Sequence, residues 1–291
     1  MRLIQRAVIL VTAAAAPLAL MASATTAAPV SPAHAVTSAC RVTATIPVSF
    51  VPLGVGVNPK TNTIYATNGF VPGTLAVISG RTNTVTTTIP VGSFPFGVAA
   101  SPKTDTIYVA SQAADTVSVI SGKTNTVVAT IPVGGLPDAI AASPKTNTIY
   151  VANFFDHTVS VISGKTNTVV ATIPVGSAPT GVAANPKTST IYVANVFDNT
   201  VSVIIGKTNS VIATIPVAAE GIAANPKTNT IYVTSRSGNI VSVISGKTNT
   251  VVATLTGFID PFAVAVDPKT NTVYVANSGD ESLSVLACGR G

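Results

Sequence analysis

Two carboxylates, Asp138 and Glu220, stand at the same place in a phrase that the sequence repeats, and a hydroxyl, Thr180, holds that place in the copy between them. Carboxylates so placed can act as general acid and base, or offer hard oxygen ligands to a cation. The remaining copies put Leu53, Phe96 and Phe262 at this position. Three polar and three apolar residues therefore share one structural place, and a mostly apolar lining with a few convergent polar groups is how ligand pockets are built. The plain alternative is that the six side chains plug whatever opening they surround. Phe154, Phe155, Phe197 and Arg236 lie in neighbouring loops of the same repeat and would extend such a wall.

Other chemistry is scarce. Besides His34, near the N-terminus, His157 is the one histidine, in Phe154-Phe155-Asp156-His157, where it reads as a solvated loop residue. No Ser-His-Asp set, spare cysteine nucleophile or zinc-ligand spacing can be assembled. No cofactor and no metal is expected.

The elements that must position these residues follow from the repeat. Pro-Lys-Thr-Asn-Thr-Ile-Tyr or a close variant begins at Pro59, Pro102, Pro144, Pro186, Pro226 and Pro268, at spacings of 43, 42, 42, 40 and 42 residues. A fixed period in this range signals a propeller or a solenoid. Each unit holds four strand-like runs, as in Phe96 to Val133: small residues in Gly-Val-Ala-Ala-Ser, then alternating Thr-Ile-Tyr-Val-Ala-Ser, Thr-Val-Ser-Val-Ile-Ser and Thr-Val-Val-Ala-Thr-Ile-Pro-Val. Four strands per unit make a propeller blade, with the small-residue run innermost beside the axis. Proline cannot donate to a ladder, so the Ile-Pro-Val ends at Pro90, Pro132, Pro174 and Pro216 place the fourth strand on the outer rim. Asn58-Pro59-Lys60-Thr61 and its copies carry type I turn chemistry between strands one and two. The last unit stops after its third strand, Leu283 to Leu286, while Val42 to Val48 copies a fourth strand at the other end of the chain. Closing the ring with that segment favours a propeller over a solenoid. The expected fold is all-β: six blades of four antiparallel strands, with the N-terminal strand completing the last.

The recurring phrases, with Tyr-Val-Ala-Asn at Tyr150, Tyr192 and Tyr274, resemble the YVTN-type β-propeller repeat family. The resemblance runs almost from residue 41 to the end and implies a propeller, usually extracellular, with no single activity. Members commonly carry seven blades, so six units depart from the pattern.

Residues 1–35 read as a signal peptide: two arginines before Ala7, an apolar run to Ala22, and cleavage sites at Ala22-Ser23-Ala24 and Ala33-His34-Ala35. Residues 36–40 read as a flexible leader and 41–289 as the propeller, without a later run long and apolar enough to span a bilayer. The chain is thus expected to be secreted. In the repeat register Cys40 and Cys288 fall at the two ends of a four-residue turn, within disulfide reach, and an exported protein would oxidise them. A lipid-modified Cys40 is the alternative, though Thr37-Ser38-Ala39 lacks the leucine-type residue three places before it.

The charges segregate. Turns one–two and three–four share one face of the disc and carry Lys60, Arg81, Lys103, Lys123, Lys145, Lys165, Lys187, Lys207, Lys227, Lys247 and Lys269, against Asp105 and Asp267. The opposite loops carry Asp115, Asp138, Asp156, Asp198, Glu220, Asp260, Asp280 and Glu281, against Arg236. The basic face could contact an anionic cell-wall polymer or lipid surface, or its lysines could merely solubilise a copied turn. The basic turns lack interleaved aromatic residues, which argues against nucleic acid.

Together these features point to a binding or scaffold protein, its ligand a protein, glycan or small molecule at the axial mouth. The rival is an enzyme: some related propellers resemble sugar lactonases or lyases, and Asp138 with Glu220 would then supply the carboxylates.

Overall fold

The computed structural model describes residues 46–48 and 52–287. The expected signal peptide and leader, and both cysteines of the expected disulfide, lie outside the described residues. Among the described residues no helix is long and apolar enough to cross a membrane.

Among the described residues twenty-three strands follow one another with a single short 3-10 turn between them. Blade one comprises β1 (Pro52–Asn58), β2 (Thr63–Asn68), β3 (Thr74–Ser79) and β4 (Thr84–Pro90). Blade two comprises β5 (Pro95–Ser101), β6 (Thr106–Ser111), β7 (Thr116–Ser121) and β8 (Thr126–Pro132). Blade three holds β9 (Pro137–Ser143), β10 (Thr148–Asn153), β11 (Thr158–Ser163) and β12 (Thr168–Pro174). Blade four holds β13 (Pro179–Asn185), β14 (Thr190–Asn195), β15 (Thr200–Ile205) and β16 (Ser210–Pro216). Blade five holds β17 (Ile222–Asn225), β18 (Thr230–Ser235), β19 (Ile240–Ser245) and β20 (Thr250–Leu255). Blade six holds β21 (Pro261–Asp267), β22 (Thr272–Asn277) and β23 (Ser282–Ala287). Every sheet is an antiparallel meander in chain order, and the fold is a six-bladed β-propeller.

Turn chemistry sets the meander. Lys60 and Lys187 donate their backbone N–H to the Asn58 and Asn185 side chains, and each such turn closes on a left-handed residue: Asn62, Asp105, Asn147, Ser189, Asn229 or Asn271. Asn and Asp tolerate that conformation better than other residues with a Cβ, which is why they recur there.

Packing between blades repeats one interface. Tyr108, Val117, Val119 and Ile131 of blade two meet Ile140, Ile149, Val151 and Ile162 of blade three, and the equivalent residues join blades three and four and blades four and five. Both faces of the middle strands of blade two are buried, because that blade is stacked between two others. The outermost strands are mostly exposed, with Ile131 inward and Pro132 in solvent, as the rim assignment requires.

The innermost strands approach so closely that a side chain on Gly97 would put its Cβ 2.6 Å from the Asp138 carbonyl oxygen. The same holds for Gly221 against the Phe262 carbonyl, also at 2.6 Å. Glycine at this place lets one blade's inner strand back onto the mouth residue of the next.

The seam between blades six and one differs. Among the described residues blade six has three strands, and residues 46–48 form no strand pairing with β23. Of the expected closing strand, residues 42–45 lie outside the described residues. Ile46 and Val48 nevertheless pack against Ile64, Ala66 and Ile78 of blade one, the place where Ile131 packs on blade three. Val55 at the seam is 66% exposed, whereas its counterparts Val98, Ile140 and Val182 are each 9% exposed beneath the preceding blade. Leu283 is 57% exposed, against 0% for Val117, Val159, Val201 and Val241.

Candidate functional site

The six mouth residues stand at or just before the start of each innermost strand, on the face formed by the loops between strands two and three and between strands four and one. Their backbones are tied from blade to blade. The Thr67 hydroxyl donates to the Phe96 carbonyl at 2.9 Å, that of Thr180 to the Glu220 carbonyl at 3.0 Å, and that of Thr234 to the Phe262 carbonyl at 3.0 Å. Thr67 and Thr234 also accept the backbone N–H of Gly54 and Gly221. Thr180 therefore spends its hydroxyl on the ring itself.

Asp138 is 7% exposed, and the Gln112 side-chain amide donates to its Oδ1 at 3.0 Å. Burial pushes the Asp138 carboxyl up to about 7; the Gln112 bond opposes the shift and the nearby Glu220 charge adds to it. Among the described residues no cation pairs with it directly. Glu220 faces the Arg236 guanidinium at 3.5 Å, yet burial outweighs that attraction and raises its pKa.

Arg236 is committed mainly elsewhere. Its Nε and Nη2 donate to the two Asp260 oxygens at 2.7 and 2.8 Å, a bidentate pair, and its guanidinium carbon lies 5.3 Å from the Phe262 ring centroid. That bond, with the Ser278 hydroxyl donating at 2.6 Å, holds Asp260 down at about 2. Arg236 thus joins Glu220, Asp260 and Phe262 into one cluster, with Asp138 and Gln112 beside it. Replacing Arg236 by Gln should leave Glu220 half-buried without a counter-charge and release the Asp260 carboxylate. A drop in stability of about 1–3 kcal/mol is expected, read as a lower urea midpoint at pH 7. An unchanged midpoint would show that the cluster is solvated.

Of the outer wall, Phe154 and Phe197 meet edge to face, with centroids 5.7 Å apart and ring planes at 73°, bridging blades three and four. Phe155 points into solvent. Leu53 sits beside Gly69, where its side chain fills the room a Cβ would need.

Gln112, Asp260 and Ser278 escaped the sequence reading as site residues. Gln112 and Ser278 each follow the second strand of a blade, as do Gly69, Phe154, Val196 and Arg236. That position varies around the ring as the mouth position does, and this second ring was the available signal. Among the described residues no three His, Cys, Asp or Glu side chains gather as a metal site. Neither Asp138 nor Glu220 is a free base: one is buried on an amide, the other engaged by an arginine.

Two clefts open on the opposite face, not at the mouth. One of about 210 Å³ is lined by Asn62, Tyr65, Ser79 and Arg81 of blade one, and one of about 490 Å³ by Asn229, Tyr232, Ser245 and Lys247 of blade five. These are the same four repeat positions in two blades.

Among solved structures, hydrazine synthase from Kuenenia stuttgartiensis is similar over 82% of this chain and 96% of its own, with a TM-score of 0.58 and 17% identity. The likeness is one of fold. Neither a family model nor a curated protein matches the sequence.

Proposed function

We propose that this chain is a secreted, non-catalytic binding or scaffold propeller of the YVTN-like type, with its ligand or partner at the axial mouth and loop face. The opposite, basic face would contact anionic cell-envelope surfaces. The observation that carries the reading is the cluster of Asp138, Gln112, Glu220, Arg236 and Phe262. It forms where the repeat is not copied, on a scaffold that is otherwise copied almost residue for residue. Side chains that vary on rigid, invariant strands are where a repeat fold carries recognition. The engagement of both carboxylates by neighbours favours recognition over turnover.

The test is a screen of the exported chain against cell-wall fractions and a metabolite library. Hits are then re-measured with Asp138→Asn/Glu220→Gln and with Phe96→Ala. An axial ligand should weaken at least tenfold in either variant, about 1.4 kcal/mol. Unchanged affinity in both would make the mouth a plug, and conversion of a hit to product would make the chain an enzyme.

A further inference from the structure

We propose that the basic face docks a linear phosphate-bearing polymer, whose successive phosphates meet outer-ring cations in clefts of that face and inner-ring lysines beside the axis. The inference deepens the reading of that face given above and rests on it.

The topology sorts the eleven cations into two concentric rings. Turns between the two innermost strands carry Lys60, Lys103, Lys145, Lys187, Lys227 and Lys269, one per blade. Turns between the two outermost strands carry Arg81, Lys123, Lys165, Lys207 and Lys247. All eleven are exposed, and among the described residues none forms an ion pair. Eleven cations on one face are not by themselves more than solubilisers, so two further features matter.

The first is rigidity. Asn58 donates to Asp105 at 2.8 Å, Asn185 to Asn229 at 2.8 Å and Asn225 to Asn271 at 2.6 Å, each bond linking the inner turn of one blade to that of the next. Lysines on such bridged turns stand on a platform whose spacing is set before any partner arrives, which lowers the ordering cost of binding.

The second is relief. The two clefts each hold one outer-ring cation, Arg81 or Lys247, at the same register among donors of the same kind: Asn62 with Thr61 and Thr63, Asn229 with Thr228 and Thr230. A cation beside hydroxyl and amide donors suits a phosphate oxygen, with Tyr232, Val243, Val252 and Leu255 completing the wall in blade five, and a cleft that recurs at one register in two blades suits a partner that repeats too. The turns themselves read Lys-Thr-Asn or close variants and present no aromatic or aliphatic side chain for insertion into a bilayer. A soluble polymer fits this surface better than a membrane.

The experiment measures binding of long-chain inorganic polyphosphate to the exported chain between 50 and 200 mM salt. Orthophosphate at equal phosphate concentration and phosphatidylglycerol vesicles are the comparison arms. Polyphosphate should bind with a steep salt dependence while orthophosphate does not. Lys123→Gln/Lys165→Gln/Lys207→Gln should flatten the slope of log affinity against log salt by about 2, at about 0.7 per phosphate contact. Arg81→Gln/Lys247→Gln tests the clefts directly and should weaken binding at least tenfold. Circular dichroism establishes that each variant is folded. Vesicle binding without polyphosphate binding would overturn the proposal in favour of a membrane surface. Salt-insensitive binding, or folded variants equal to the parent, would leave the lysines as solubilisers. Asp138→Asn/Glu220→Gln should bind polyphosphate like the parent, so failure of the mouth and failure of this face are read separately.

Discussion

At pH 8 the Asp138→Asn variant is expected to be more stable than the parent, and at pH 4 the two should be nearly equal. The folded chain holds the Asp138 proton up to about 7, against an ordinary value of 3.8, because burial penalises the charged form and the Glu220 charge adds to it, while the single Gln112 donor offsets only part of the shift. A raised folded pKa contributes stability that is full below the unfolded value and is lost as pH rises through the folded one. Between pH 4 and pH 7 the unfolded chain ionises while the folded chain does not, and the parent loses up to roughly 4 kcal/mol at about 1.4 kcal/mol per pH unit. Asparagine keeps the shape, accepts from Gln112 as the acid does, and has no proton to lose. Urea midpoints of both proteins from pH 4 to pH 8 check this. A difference that stays constant with pH would mean that water reaches Asp138.

Deletion of residues 36–48 is expected to destabilise blade one and drive aggregation. Ile46 and Val48 lie half-buried on Ile64, Ala66 and Ile78, and their removal uncovers that patch. At about 1.5–3 kcal/mol for complete burial of each side chain, the half-burial of the pair is worth about 2 kcal/mol. The chain from Pro47 to Pro52 spans the same four intervening residues as Pro132 to Pro137 and Pro174 to Pro179. By that register Ile46 would stand opposite Leu283, as Ile131 stands opposite Val117. An uncovered β23 is an unpaired edge with an apolar flank, a template for other chains. Size-exclusion chromatography and urea unfolding of the shortened protein decide the matter. A monomer as stable as the parent would show that the segment closes nothing.

What was legible in the sequence was whatever is local or periodic. Proline in Ile131-Pro132 and its copies marks the rim strand, Asn-Pro-Lys-Thr marks the inner turn, and small residues mark the strand beside the axis, since each follows from donor count, turn conformation or volume alone. The sorting of charge onto two faces is equally legible, because hairpin turns of a four-strand meander alternate between its ends. Copy-to-copy variation singled out six positions that lie at or just before the starts of the innermost strands.

Tertiary structure alone decided how the mouth residues share protons and partners. Asp138 and Glu220 are one residue type apart and occupy one repeat position, yet Asp138 is buried on Gln112 while Glu220 is met by Arg236. The partners come from different loops: Gln112 reaches forward from the preceding blade, while Arg236 spans its own blade and the next. The burial of both faces of β6 and β7, against the exposed Val55 and Leu283 at the seam, has the same origin. A repeat specifies what one blade offers its neighbour; whether a neighbour is there, and how much water it displaces, belongs to the assembled ring.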